Sequence, residues 1–147
     1  MNLAERLNED MKQAMKAGEK FRLTTIRMVR ASIKNQEIEL HRPLNEDEIV
    51  QVVSRDLKQR RDSLQDFERA GRDDLVSQMQ GEIEIISQYL PEQLNEEEIK
   101  AIVMQTIQET GASSKADIGK LMGALMPKVK GRADGKLVNQ LVQQVLS

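Results

Sequence analysis

The residues best suited to chemistry in this chain lie near its end, where Lys128, Lys130, Gly131, Arg132, Ala133, Asp134, Gly135 and Lys136 form a basic, glycine-bracketed segment. Four cations crowd this turn with one acid among them, which costs repulsion unless an anion is sometimes present. Gly131 and Gly135 allow unusual backbone angles and close approach, and the segment leads into an amphipathic stretch, so helix-opening amides stand beside positive charge. That is the local chemistry of an anion-binding turn. Asp134 is placed to cap the helix, which explains half of the motif structurally but leaves the cations unexplained. No Walker pattern occurs, which argues against a nucleotide-binding P-loop.

A second group of cations, Arg27, Arg30 and Lys34, falls along one helical stripe with few acids four residues on to neutralise it. Arg60 and Arg61 lie in Gln59-Arg60-Arg61-Asp62-Ser63, beside mixed charges that continue through Arg72, Asp73 and Asp74. Together Arg27, Arg30, Lys34, Arg60 and Arg61 make a candidate partner face. The competing reading for Arg60 and Arg61 is a solvated face of paired charges. The lone His41, next to Arg42 and Pro43, reads as a helix-end residue, because it has no Cys or His companions for a metal and no evident nucleophile. Glu96, Glu97 and Glu98 read as first-turn acids that offset a helix dipole. The methionines at 11, 15, 28, 79, 104, 122 and 126 read as flexible core filler. No catalytic residue, cofactor or metal follows from these patterns.

Composition bounds the partners. The chain has 147 residues, a net charge of −2 and no cysteine, which excludes disulfides, a thiol nucleophile and thiolate metal ligands and suits a reducing compartment. Only Phe21, Phe67 and Tyr89 are aromatic, so no ring platform exists for stacking single-stranded bases. No apolar run approaches a membrane span and no signal-peptide layout opens the chain, so the expectation is a cytoplasmic protein. Charge is unevenly spread: residues 1–92 carry 15 Lys and Arg against 18 Asp and Glu, whereas residues 110–147 carry six against two. A locally basic end on an acidic chain fits a small number of phosphate contacts rather than a general nucleic-acid footprint.

The elements that must position these groups are all helical. Leu3, Leu7, Met11 and Met15 recur every four residues until Gly18. Phe21, Leu23, Ile26, Val29, Ile33 and Ile38 continue the period to about Leu40, before Pro43. Asn45 with Glu48 opens a third helix, whose apolar side runs from Ile49 to Phe67 until Gly71. A fourth carries Leu75, Val76, Met79, Ile83, Ile86 and Leu90 and ends at Pro91. Residues 91–95 read as a hinge, because a fresh cap follows at Asn95 with Glu98. Three shorter helices follow: Glu96 to Thr110, Ser114 to Met126 ended by Pro127, and Gly135 to Leu146. The expectation is an all-α protein with an N-terminal lobe of about four helices over 1–92 and a C-terminal three-helix bundle over 93–147.

Gly119-Lys120-Leu121-Met122-Gly123-Ala124-Leu125-Met126, followed by Lys130-Gly131-Arg132-Ala133-Asp134-Gly135-Lys136-Leu137-Val138-Asn139, resembles the tail motif shared by YqeY-like proteins and the B subunit of the tRNA-dependent amidotransferase. Leu23-Thr24-Thr25-Ile26-Arg27, Lys58-Gln59-Arg60-Arg61-Asp62-Ser63 and Tyr89-Leu90-Pro91-Glu92-Gln93-Leu94 resemble the stand-alone YqeY form, so the likeness spans nearly the whole chain. It implies two all-helical lobes, with a tail that in the amidotransferase contacts the outer part of tRNA. It also brings an association with glutamine-dependent carbon–nitrogen ligase activity, although the subunit's catalytic cradle domain has no counterpart here.

The leading expectation is a non-catalytic accessory module that binds structured RNA, tRNA first, through Lys128, Lys130, Arg132 and Lys136 on phosphates, with Gly131 and Gly135 allowing close approach. The alternative is a module that docks on a tRNA-handling enzyme through the Arg27, Arg30, Lys34, Arg60 and Arg61 face. An independent enzyme is the least supported reading.

Overall fold

The computed structural model describes residues 1–146. Among them are seven α-helices and one short 3-10 turn, with no strand: α1 Leu3–Ala17, α2 Lys20–Leu40, α3 Glu46–Arg69, α4 Asp73–Ser87, α5 Glu96–Thr110, α6 Ile118–Val129 and α7 Gly135–Val145. The protein is all-α. Two compact units divide between Pro91 and Glu92.

In the first unit, α1 to α4 enclose a core of Leu3, Leu7, Ile26, Val29, Val53, Leu57 and Ile86 with their neighbours. Local sequence sets the helix ends. Gly18 closes α1 at φ 70°, a left-handed angle that glycine adopts without a Cβ penalty. Asn45 and Glu48 form a complete capping box at the start of α3, and Arg42 donates to Glu48 through both terminal nitrogens at 2.8 Å. Those bonds, Arg42 first and the Asn45 amide second, hold the Glu48 carboxyl down at about 2. Leu3 N–H donates to Glu46 at 3.0 Å and fastens the start of α1 to the start of α3.

The reading of the apolar positions misplaces six side chains, among them Met28, Met104 and Met126, which are exposed rather than core filler. Met15 and Ile38 stand exposed, and Ala14 takes the buried place at the end of α1. Phe21 is also exposed, with its ring against the backbone of Gly81 on α4. In α1 a spacing of four drifts around a 3.6-residue helix, so Met15 at the end of its run leaves the core face. Ile38 instead breaks the period by standing five residues after Ile33, and Phe21 lies in the first turn of α2.

The second unit packs α5, α6 and α7 around Ile99, Val103, Leu121, Leu125, Val129, Val138, Leu141 and Val142. Asn95 and Glu98 build a second complete capping box, and Gly111 ends α5 at φ 71°. The expected stop at Pro127 is corrected, since α6 continues through it to Val129. Proline lacks a donor and so forfeits one bond near the helix end, while Val129 beyond it is 1% exposed and draws the last turn into the core. Residues 92–94 are not a free linker within this unit. Leu94 N–H donates to the Arg132 carbonyl at 2.8 Å, Gln93 Nε2 to the Gly131 carbonyl at 2.8 Å, and Arg132 Nε to the Glu92 carbonyl at 3.2 Å.

Candidate binding sites

The basic segment of the second unit spans the end of α6, the connecting turn and the start of α7. Lys128 lies on α6, where Nζ donates to Glu109 Oε2 at 2.6 Å and Thr106 Oγ1 at 3.0 Å, tying α6 to α5. Its ammonium is already countered by a carboxylate. Lys130 is the exposed residue after α6. Gly131 adopts φ 73°, which requires glycine's freedom, whereas Gly135 has no positive φ and begins α7 with open space around it. Arg132 is half-buried and spends its Nε on the strap at residues 92–94. Asp134 caps α7 by accepting from Lys136 N–H at 3.1 Å, as the spacing predicts. Lys136 is exposed. The segment therefore combines the exposed side chains of Lys130 and Lys136 with the half-buried ones of Lys128 and Arg132.

Helix α7 carries no acid, and Asn139, Gln140, Gln143 and Gln144 line a shallow hollow on it. These amides stand three, four, seven and eight residues beyond Lys136, so they continue its face of the helix. Sequence reasoning passed over them. The missed signal is the polar half of the same period that places Val138, Leu141 and Val142 in the core.

In the first unit, Arg27, Arg30 and Lys34 are exposed along α2 at spacings of three and four. They border a groove of about 690 Å³ whose apolar lining includes Leu7, Ile33, Leu44 and Ile49, with Ala4 and Ala31 at its margin. None of the three cations forms an ion pair among the described residues; Arg30 Nη1 lies 2.7 Å from Met11 Sδ. Glu37 shares the groove, and its carboxylate accepts from Leu44 N–H at 3.2 Å.

Arg60 does not belong to an exposed partner face. It turns inward between α3 and α4, where Nε meets Glu82 Oε1 at 3.3 Å and Nη1 donates to the Asp56 carbonyl at 3.3 Å. Glu82 also accepts from Gln78 Nε2 at 3.3 Å. Asp56 Oδ2 has no hydrogen-bond partner among the described residues, and burial pushes its carboxyl up against the opposing pull of Ser32, Arg60 and Arg55. Arg61 is half-buried. The buried acids escape a reading by residue type, but their register betrays them. Glu82 lies three residues after Met79 and four before Ile86, on the apolar face of α4, and Asp56 follows Val52 and Val53 in the same way on α3.

Among the described residues no three His, Cys, Asp or Glu side chains gather to hold a metal ion, and no helix is long and apolar enough to cross a membrane. His41 caps α2 in the left-handed conformation at φ 56°. The exposed groups described above are cations and amides. The fold is that of a two-unit, all-helical protein.

The profile described as Yqey-like protein matches residues 4–146, and the chain belongs to that family. Its relatives include proteins named "Altered inheritance of mitochondria protein 41, mitochondrial". The one from Pyrenophora tritici-repentis is 31% identical over 96% of this chain and 79% of its own length. The one from Eremothecium gossypii is 34% identical over 91% and 71%, and one from Saccharomyces cerevisiae is 30% identical over 81% and 68%. These names overturn the cytoplasmic expectation. It rested on missing cysteines and missing apolar spans, features shared by proteins of any aqueous, reducing compartment, mitochondrial ones included.

Proposed function

We propose that this protein is a non-catalytic accessory that binds structured RNA, tRNA first, with the α6–α7 turn and the exposed face of α7. The observation that carries this reading is the acid-free face of α7, where Lys136 is followed by Asn139, Gln140, Gln143 and Gln144. Lys and Arg neutralise phosphate, and Asn and Gln bond phosphate and sugar oxygens without reading sequence. Few aromatics are needed for a folded RNA, which is recognised by shape and backbone. Lys130 adds charge at the turn, and Lys128 can exchange Glu109 for a phosphate because its side chain is 34% exposed. The resemblance to the amidotransferase tail points to the same partner. Ligase activity is not part of the proposal.

The test is binding of bulk tRNA to the intact protein across a salt series. Because the relatives are named as mitochondrial, mitochondrial tRNA is the first pool to compare. Saturable binding with a log–log salt slope of about −2 to −3 is expected for phosphate contacts by Lys128, Lys130 and Lys136 at ~0.7–0.9 each. Changing Lys130 and Lys136 to Ala should weaken binding and lower the slope by about two. Binding insensitive to salt, or unchanged in that variant, overturns the proposal.

A further inference from the structure

We propose that the groove on the first unit is a docking site for an acidic amphipathic helix of a partner protein, independent of the RNA reading. Three observations converge on that occupant. Arg27, Arg30 and Lys34 repeat at i, i+3 and i+7 along α2, so their charges run about 10 Å along one edge, two helical turns. Asp and Glu at the same spacing on an incoming helix meet them in register. The three cations have no ion-pair partner of their own among the described residues, so a complementary charge is the missing component.

The exposed apolar side chains of Ala4 and Ala31, above a lining in which Ile33 and Leu44 are each 9% exposed, favour a helix over a nucleic acid. Phosphates gain nothing from aliphatic side chains, and no aromatic residue lines this groove to stack a base. An amphipathic helix supplies both requirements at once, apolar anchors at i, i+3 or i+4 and i+7 against the floor, and acids on the flank facing α2. Exposed Ala31 at the margin lets the incoming backbone approach closely. Charge on the rim would set orientation and association rate, and the buried anchors would set residence time.

The experiment uses the intact protein and a display library of 16-residue helices, with Leu fixed at i, i+3 and i+7 and the flanking positions randomised. Selection is expected to enrich Asp and Glu on one flank only. The best peptide should bind saturably, lose at least tenfold when its acids are changed to Gln, and lose at least tenfold against the Arg27→Ala/Lys34→Ala variant. Circular dichroism of that variant should match the parent, since both side chains are exposed. The Lys130→Ala/Lys136→Ala variant should bind the peptide as the parent does, which separates this site from the RNA surface. Failure to enrich acids, equal binding by the Gln peptide, or equal binding by the groove variant overturns the proposal. Loss of tRNA binding in the groove variant, with no acidic peptide selected, reassigns the groove to nucleic acid.

Discussion

Arg60 of α3 and Glu82 of α4 meet at 3.3 Å with side chains 11% and 2% exposed, which makes them an internal ion pair of the first unit. Gln78 and the Asp56 carbonyl take up further hydrogen-bonding capacity around them. The pair fixes how α3 and α4 face each other at a level where the sequence would otherwise permit any apolar contact. Breaking it from one side strands the other charge out of water.

Glu82→Gln and Arg60→Met should therefore each cost about 3–5 kcal/mol, measured by urea unfolding. The double replacement Arg60→Met/Glu82→Leu should recover most of that loss, because an apolar pair of similar volume has no desolvation penalty to offset. Single variants within about 0.5 kcal/mol of the parent would mean that Arg60 reaches water after all.

Tyr89 gives the clearest pH signature. Its hydroxyl donates to Asp10 Oδ2 at 2.5 Å, and its ring lies under the Arg6 guanidinium at 5.2 Å. Burial first, and the Asp10 bond second, push the phenol up from 10 to about 12. The folded state thus favours the neutral form. This contribution is fully present below pH 10 and is lost as pH rises from 10 toward 12. With one tyrosine and no tryptophan in the chain, the alkaline absorbance change belongs to Tyr89 alone. Its midpoint should lie near 12 while the protein stays folded, and Asp10→Asn should lower it part of the way to 10.

How much of this was visible in the residues depends on the range of the interaction. The capping boxes at Asn45 and Asn95 and the left-handed ends at Gly18 and Gly111 were legible, because each is decided within a few residues. The passage of α6 through Pro127 was not, because burial of Val129 outweighs a local stop signal. Arg60 read as a surface cation since its partner lies 22 residues away on another helix. The basic segment was legible as charge, but the engagement of Lys128 by Glu109 and of Arg132 by the Glu92 carbonyl depends on the fold. The groove beside α2 needed the apposition of three elements, although its rim cations were evident from their spacing.

The two glycines of the basic segment should separate cleanly. Gly131→Ala places a Cβ at φ 73° and should cost about 1–2 kcal/mol of stability. Gly135→Ala meets no atom within 4 Å and has no positive φ, so it should be neutral or stabilise by a few tenths of a kcal/mol. The proposed RNA contact uses Gly135 only if backbone approach there matters. Retained tRNA affinity in Gly135→Ala would confine the glycine requirement to Gly131, and a loss without destabilisation would mark close approach at the start of α7.

Gly81 sits within α4, where alanine is favoured by up to about 1 kcal/mol, yet a Cβ there would lie 2.9 Å from Phe21 Cε1 and 3.1 Å from Cζ. Those distances are too short, so the ring must move. Phe21 is 46% exposed, and its side chain has room to swing at the cost of its contact with α4. The two effects oppose each other, and Gly81→Ala alone should change stability by less than about 0.5 kcal/mol. In a Phe21→Ala background the steric term vanishes, and the same substitution should stabilise by close to the full 1 kcal/mol. A double-mutant cycle reads the difference directly. Equal effects in the two backgrounds would show that the ring leaves Gly81 without loss, and that the contact between α2 and α4 rests on Thr25, Ile26 and Ile86 instead.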